Sequence, residues 1–236
     1  MKELTIIIPI LNEAKNILFL IPEINKSKIK LDIKKFEVLL IDDNSNDNIK
    51  EVCKKLKKKF KYLKLFTRRN KKKDLSQSCA YGFSKSSYKN ILVMDGDFQH
   101  HPKYIIKLYN KYVKNNLDIA VGSRDLLERN EGLSFIRRLL SILLILTINF
   151  LLGNKTNDPM SGFFIFKKKI FMDNRKKMYL KGFKILSDLI YSSDRKLNIK
   201  DVPIVFDQRN LGMSKMNFSV LYKLLFFIFI NFFRKW

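Results

Sequence analysis

Five short apolar runs, separated by stretches of helical periodicity, constrain this chain more than any other feature. Leu4–Pro9, Phe36–Ile41, Leu63–Phe66, Ile91–Met94 and Ile119–Val121 are strand-length runs of the kind buried on both faces of a parallel sheet. Between them the spacing predicts a helix from an N-cap at Asn12 to about Ile24. A lysine-rich amphipathic helix follows, with Ile49, Val52, Leu56 and Phe60 on one side, and then helices over Leu75–Ser84 and Pro102–Val113. Strands alternating with helices predict an α/β fold, a mostly parallel central sheet with helices on both faces.

Polar clusters follow the carboxyl ends of these strands: Pro9 to Glu13, Asp42-Asp43, and Asp95 to Gln99. Open α/β sheets bind ligands at that edge. The most informative cluster is VMDGDFQHHP, residues 93–102. Residues two apart on an extended backbone share a side, so Asp95, Asp97 and Gln99 are expected to present three oxygens together, with Asp97 facing solvent. Hard oxygens suit Mg²⁺ or Mn²⁺, which take one or two carboxylates and complete their shells with water and substrate phosphates. From the residues alone, a solvated acidic turn with Gly96 at the bend is the alternative. Neither G-x-G-x-x-G nor G-x-x-x-x-G-K-[ST] occurs, which removes the dinucleotide and P-loop readings. His100 and His101 have no third ligand at zinc spacing.

Charge permits several partners and selects none. With 236 residues, 46% of them hydrophobic, the chain can bury a real core. A formal net charge of +25 suits nucleic acid, an anionic membrane surface or phosphorylated substrates. Lys far outnumbers Arg, and Asn, Ile and Phe are abundant, so compositional drift contributes. Cys53 and Cys79 form neither a disulfide framework nor a zinc site, consistent with a reducing compartment. Cys79 reads as a small core residue rather than a nucleophile. The chain opens directly into a strand without a signal-peptide pattern, and a cytosolic-facing protein is expected.

The second half changes character. Arg137-Arg138 leads into Leu139–Leu152, an apolar stretch shorter than the roughly 20 residues of a membrane span. It reads either as a buried core helix or as a helix in the membrane interface, and the basic entry favours the interface. Val220–Phe233 poses the same question and ends in Arg234-Lys235-Trp236, a pattern suited to headgroup level. The expected division is a main domain over residues 1–216, with its interfacial helix at about 135–152, and a membrane-associating helix over 217–236. The polar loop NKTNDPMSG, residues 154–162, is expected to overhang the site.

Four segments in order, IPILNEAKNI, IDDNSND, VMDGDFQHHP and FDQRNLGMSK, give the chain a further handle. They resemble family 2 glycosyltransferases, in particular the polyprenol-phosphate sugar synthases of the dolichol-phosphate mannose synthase type, from Leu4 to about Lys215. The resemblance implies the GT-A fold and inverting transfer of a hexose from a nucleotide-diphosphate sugar to a polyprenol phosphate. It implies Mg²⁺ or Mn²⁺ at Asp95, Asp97 and Gln99, and a donor pocket lined by Pro9, Glu13, Ile41 and Asp43. Glu13 could equally be a first-turn acid favoured by its helix dipole.

Arg209 and Lys215, flanking Gly212, match residues that clamp the donor diphosphate; a solvated basic loop is the alternative. Arg124 and Arg137, with Asp158 and Ser161, are assigned to the acceptor phosphate, and Asp95, Asp97 and Arg124 to catalysis. The chain departs from the family pattern at Asn48, often glycine, in residues 71–82, where a glycine-rich loop is replaced, and at Phe164, commonly arginine. The expected location is the cytoplasmic face of the membrane, peripheral or held by a membrane partner. Two other classes are weighed: a family 2 transferase acting on a surface saccharide, and a non-enzymatic protein that binds nucleic acid or membranes. The latter leaves the ordered acidic clusters unexplained.

Overall fold

In the computed structural model the described residues are 2–69, 71–124, 142, 145–150, 153–182 and 184–205. They build a seven-stranded sheet of order β3-β2-β1-β4-β6-β5-β7. The strands are β1 (Glu3–Ile10), β2 (Lys35–Asp42), β3 (Leu63–Thr67), β4 (Asn90–Val93), β5 (Ile119–Arg124), β6 (Phe164–Lys167) and β7 (Ile199–Ile204). Besides a helical stretch at 145–150, the described helices are α1 (Ala14–Leu31), α2 (Ile49–Lys59), α3 (Leu75–Lys85), α4 (Tyr104–Lys114), α5 (Lys168–Asn174) and α6 (Ile185–Tyr191). All five expected strands and four expected helices are present. The second half adds β6, which runs antiparallel to both β4 and β5, and β7, parallel to β5.

Continuous apolar runs make sense here because both faces of the sheet are covered. Ile6 and Ile8 of β1 pack with Ile17, Leu20 and Ile24 of α1, Val52 and Leu56 of α2, and Leu108 and Tyr112 of α4. Ile7, pointing the other way, joins Cys79 and Phe83 of α3, Phe171 of α5 and Leu186 and Leu189 of α6. Cys53 and Cys79 are both buried as free thiols and lie in these two separate layers.

Two helix boundaries depart from the sequence reading. Asn12 is not the N-cap of α1. It takes a left-handed conformation at φ 60°, and its Oδ1 accepts from the Asn46 amide while its own amide donates to Ser45 Oγ. The first-turn amide of Ala14 is instead satisfied from across the loop, by Asp47 Oδ2 at 2.8 Å. α1, which accommodates Pro22, also continues past Ile24 to Leu31, where Ser27 and Leu31 are buried.

Two buried carboxylates set the acid stability of this frame. Glu37 on β2 accepts from Thr5 Oγ1, Lys64 Nζ and the Ser87 amide. Burial alone would raise its pKa, but those bonds outweigh it and hold the carboxyl below its ordinary range. Asp118 is held lower by the paired N–H groups of Arg195, with burial opposing and the Asn198 amide and Lys167 assisting. Unfolded carboxyls titrate near about pH 4. The stabilisation is therefore complete above that range and is lost as pH falls through it toward the lower folded values. The urea midpoint is expected to drop between pH 5.5 and pH 3. Asp118→Asn should be less stable at pH 6 and show a shallower drop; an unchanged slope would remove Asp118 from this role.

Candidate active site

β4 stops at Val93, and the residues after it are bends rather than strand. The alternation expected for Asp95, Asp97 and Gln99 therefore does not operate. Phe98 sits at φ 65° and turns the chain back, and Asp97 Oδ1 accepts the Gln99 amide at 3.1 Å. Asp97 does not face solvent: it and Gln99 are buried, at 6% and 5% exposure. Asp95 is the accessible member, its side chain one-third exposed.

Around Asp95 the structure gathers residues from three places. His100 Nδ1 lies 3.4 Å from Asp95 Oδ2, and the imidazole stacks on the Phe163 ring at 5.5 Å and 14°. Burial, reinforced by the Arg124 cation, pushes His100 down to about 3, so it is neutral at ordinary pH. Arg124, at the end of β5, gives Nε to Asp158 Oδ2 at 2.6 Å and Nη2 to Asp158 Oδ1 at 2.8 Å. Burial opposes that cation, yet Asp158 and then Asp95 outweigh it and hold its pKa above the ordinary value.

Asp158 is completely buried. The loop that carries it is anchored in the core by the buried Thr156 and Ser161, while Asn154, Lys155 and Asn157 are exposed. Ser161 Oγ donates to the Gly122 carbonyl at 2.7 Å, and the Gly122 amide donates to the Phe163 carbonyl at 2.8 Å. Ser161 and Asp158 thus stitch this loop to β5.

The expected donor side is equally well tied. Pro9 and Ile41 are register partners on β1 and β2, and both are buried. Glu13 Oε2 accepts from Asn16 Nδ2 at 2.8 Å in the first turn of α1. Asp43 Oδ1 takes Arg68 Nη1 at 2.7 Å and its Oδ2 takes the Asp74 amide at 2.6 Å. Burial raises the Asp43 carboxyl, against the pull of that amide and of the Arg68 cation. Asp42 is spent on the turn itself, accepting both the amide and the hydroxyl of Ser45.

Sequence reasoning missed Arg68 and Asp74. Arg68 is buried and also reaches Ser78 Oγ and Gln77 Oε1. Asp74 caps α3 by accepting the Gln77 amide, and its other oxygen takes the Gly182 amide. The D-L-S-Q spacing was a readable helix-start signal. Arg68 carried none, being one cation among many. At the departures from the family pattern, Asn48 has an ordinary φ of −83° and needs no glycine, and Phe164 is a buried core residue opening β6. Arg137, Arg209, Gly212, Lys215, the 217–236 segment and most of 135–152 lie outside the described residues.

Asp95, Asp97 and Gln99 carry hard oxygens of the type that Mg²⁺ and Mn²⁺ prefer, and of the three Asp95 is the accessible one. Among the described residues no group of three His, Cys, Asp or Glu gathers, which disfavours a closed zinc site. Two carboxylates and an amide oxygen leave room for water and diphosphate oxygens, as Mg²⁺ and Mn²⁺ prefer.

Residues 5–175 match the family model described as glycosyl transferase family 2. The chain belongs to glycosyl transferase family 2. It is 31% identical over 226 residues to a dolichol-phosphate mannosyltransferase of Pyrococcus furiosus, covering 94% of this chain and 62% of that protein. The chain thus spans less than two-thirds of that relative. A dolichol-phosphate mannosyltransferase of Saccharomyces cerevisiae is 27% identical, over 93% of this chain and 83% of its own. In three dimensions this family 2 chain resembles glucosyl-3-phosphoglycerate synthase of Mycobacterium tuberculosis, crystallised with Mn²⁺, UDP-glucose and phosphoglyceric acid. The TM-score is 0.70 at 14% identity, over 98% of this chain and 78% of that one. That likeness establishes the GT-A fold.

Proposed function

We propose that this family 2 member is an inverting glycosyltransferase that moves a hexose from a nucleotide-diphosphate sugar to a polyprenol phosphate. One observation carries the reading: an accessible Asp95 at the carboxyl edge of the sheet, beside an Arg124 cation whose plane is fixed by a buried carboxylate. Two anionic groups can meet there, a diphosphate on the Asp95 side and an acceptor phosphate on the Arg124 side. The names of the relatives from Pyrococcus and yeast support this substrate class.

Mg²⁺ or Mn²⁺ held by Asp95, Asp97 and Gln99 would neutralise the leaving diphosphate. Arg124 holds the acceptor phosphate, and Asp158 keeps the guanidinium from turning away. A phosphate oxygen then attacks the anomeric carbon opposite the diphosphate, and the sugar–oxygen bond breaks with its electron pair leaving on the nucleoside diphosphate. Such an acceptor is already anionic, so no strong general base is required, and neutral His100 is not asked to be one. Catalysis is mainly positioning and electrostatics. Arg209, Lys215 and Arg137 complete the two phosphate clamps in this proposal.

Association with the cytoplasmic membrane face belongs to the same proposal. Residues 145–150 are helical; Ile145 and Ile148 are buried, whereas Leu146 and Phe150 are 59% and 88% exposed. A helix apolar on its outer side as well suits a lipid interface. Among the described residues, no helix is long and apolar enough to cross a membrane.

The test is transfer of label from radioactive GDP-mannose or UDP-glucose, with Mn²⁺ and detergent-dispersed polyprenol phosphate. Label is expected in the organic phase. Label confined to a saccharide acceptor would establish the other family 2 reading, and no transfer from either donor would overturn both.

A further inference from the structure

We infer that Gly162 and His100 are positioning residues that seat the Asp95 carboxylate, so that the loop over residues 154–162 sets how well the protein binds its divalent ion. This rests on the metal reading proposed above. A methyl group placed on Gly162 would fall 2.6 Å from Asp95 Oδ2, 3.0 Å from its Cγ and 3.1 Å from Oδ1. All three nearest atoms belong to that one carboxylate. Gly162 is not in the left-handed region, so turn geometry does not call for glycine. The close approach of main chain to carboxylate does.

The approach is enforced from both sides of Gly162. Ser161 Oγ is anchored to the Gly122 carbonyl, and the Phe163 carbonyl accepts the Gly122 amide. The loop therefore cannot retreat without breaking its bonds to β5. On the other side, His100 is wedged flat against Phe163 with Nδ1 3.4 Å from Asp95 Oδ2. Gly162, His100 and the Arg124 cation together hold an otherwise accessible side chain to one place. Residues that orient a ligand in this way typically change metal affinity by about 10–100-fold when altered.

Mn²⁺ binding, followed by the electron paramagnetic resonance of the free ion with GDP or UDP present and no acceptor, reads this without turnover. Gly162→Ala should weaken Mn²⁺ by at least about tenfold at a melting temperature close to that of the parent. Combined with Asp95→Asn it should add little, because both act on the same carboxylate. His100→Phe keeps the ring stack, removes the nitrogen, and should weaken Mn²⁺ as well; it carries the test if Gly162→Ala does not fold. Parental affinity in the folded variant, or full additivity with Asp95→Asn, would overturn the seat. A parent chain that binds no Mn²⁺ would overturn the metal reading itself, and an unaffected Asp95→Asn would remove Asp95 as its ligand.

Discussion

Asp95→Asn is expected to lower sugar transfer by at least about a hundredfold while leaving the melting temperature near that of the parent. The substitution keeps size and removes charge at the one accessible carboxylate of the cluster. Stabilising charge that develops on a leaving group is worth several kcal/mol in an enclosed site, and each 1.36 kcal/mol is tenfold in rate. Little stability is at stake, because a one-third-exposed side chain surrenders little desolvated contact. Asp97 is the poorer test: at 6% exposure and bonded to the Gln99 amide, its loss would disturb the turn as well as the chemistry. Transfer assays with Mn²⁺ titrated from zero, alongside thermal melts, decide the matter. Parental turnover in Asp95→Asn, or full parental activity in excess chelator, would remove the metal from the mechanism.

The largest loss of stability is expected at Asp158. It is wholly buried, and both of its oxygens accept from the Arg124 guanidinium. Asp158→Ala leaves the guanidinium largely buried without its counter-ion, which costs about 3–5 kcal/mol in comparable sites. Arg124→Ala strands the carboxylate instead, with a similar cost. Replacing both by Arg124→Met and Asp158→Leu removes both charges, and such exchanges are often near neutral. Urea unfolding should therefore show two damaged single variants and a largely recovered double variant. Transfer should fail in the double variant all the same, since the acceptor's cation is gone. Recovered transfer would mean that the pair serves the fold alone.

The contrast between those two sites explains what could be read from the chain beforehand. β1, β2, β4 and β5 were legible because their middles are buried on both faces and so are largely apolar; β3, at the sheet edge, is apolar only in part. The clusters at their ends were legible because polar residues that close such a run face the ligand edge. What could not be read was which oxygens were already spent. Asp42 and Asp47 serve a turn and a helix end, while Asp43 is held by Arg68 and the Asp74 amide. Sequence spacing does not distinguish these from a ligand. β6 was missed because it is short, FIFK, and runs straight into the helix that opens at Lys168 with no turn signal between them. β7 carries only two buried side chains, Val202 and Ile204, with Pro203 between them. Asp97 misled for a different reason: alternation assumes extended backbone, and the chain bends as soon as β4 ends.

The reversed strand has a consequence for how such a chain can change over evolutionary time. β5 leaves the sheet at Arg124, and β6 enters it at Phe164, which lies beside Val121. β5 and β6 pair antiparallel, so the chain over residues 125–163 both begins and ends at the ligand edge. Its length and composition can be rewritten without moving a strand, provided that its last few residues still supply the carboxylate for Arg124 and the close approach to Asp95. In the proposed reaction, donor chemistry is thereby left to the fixed frame, and the choice of acceptor becomes an exchangeable insert.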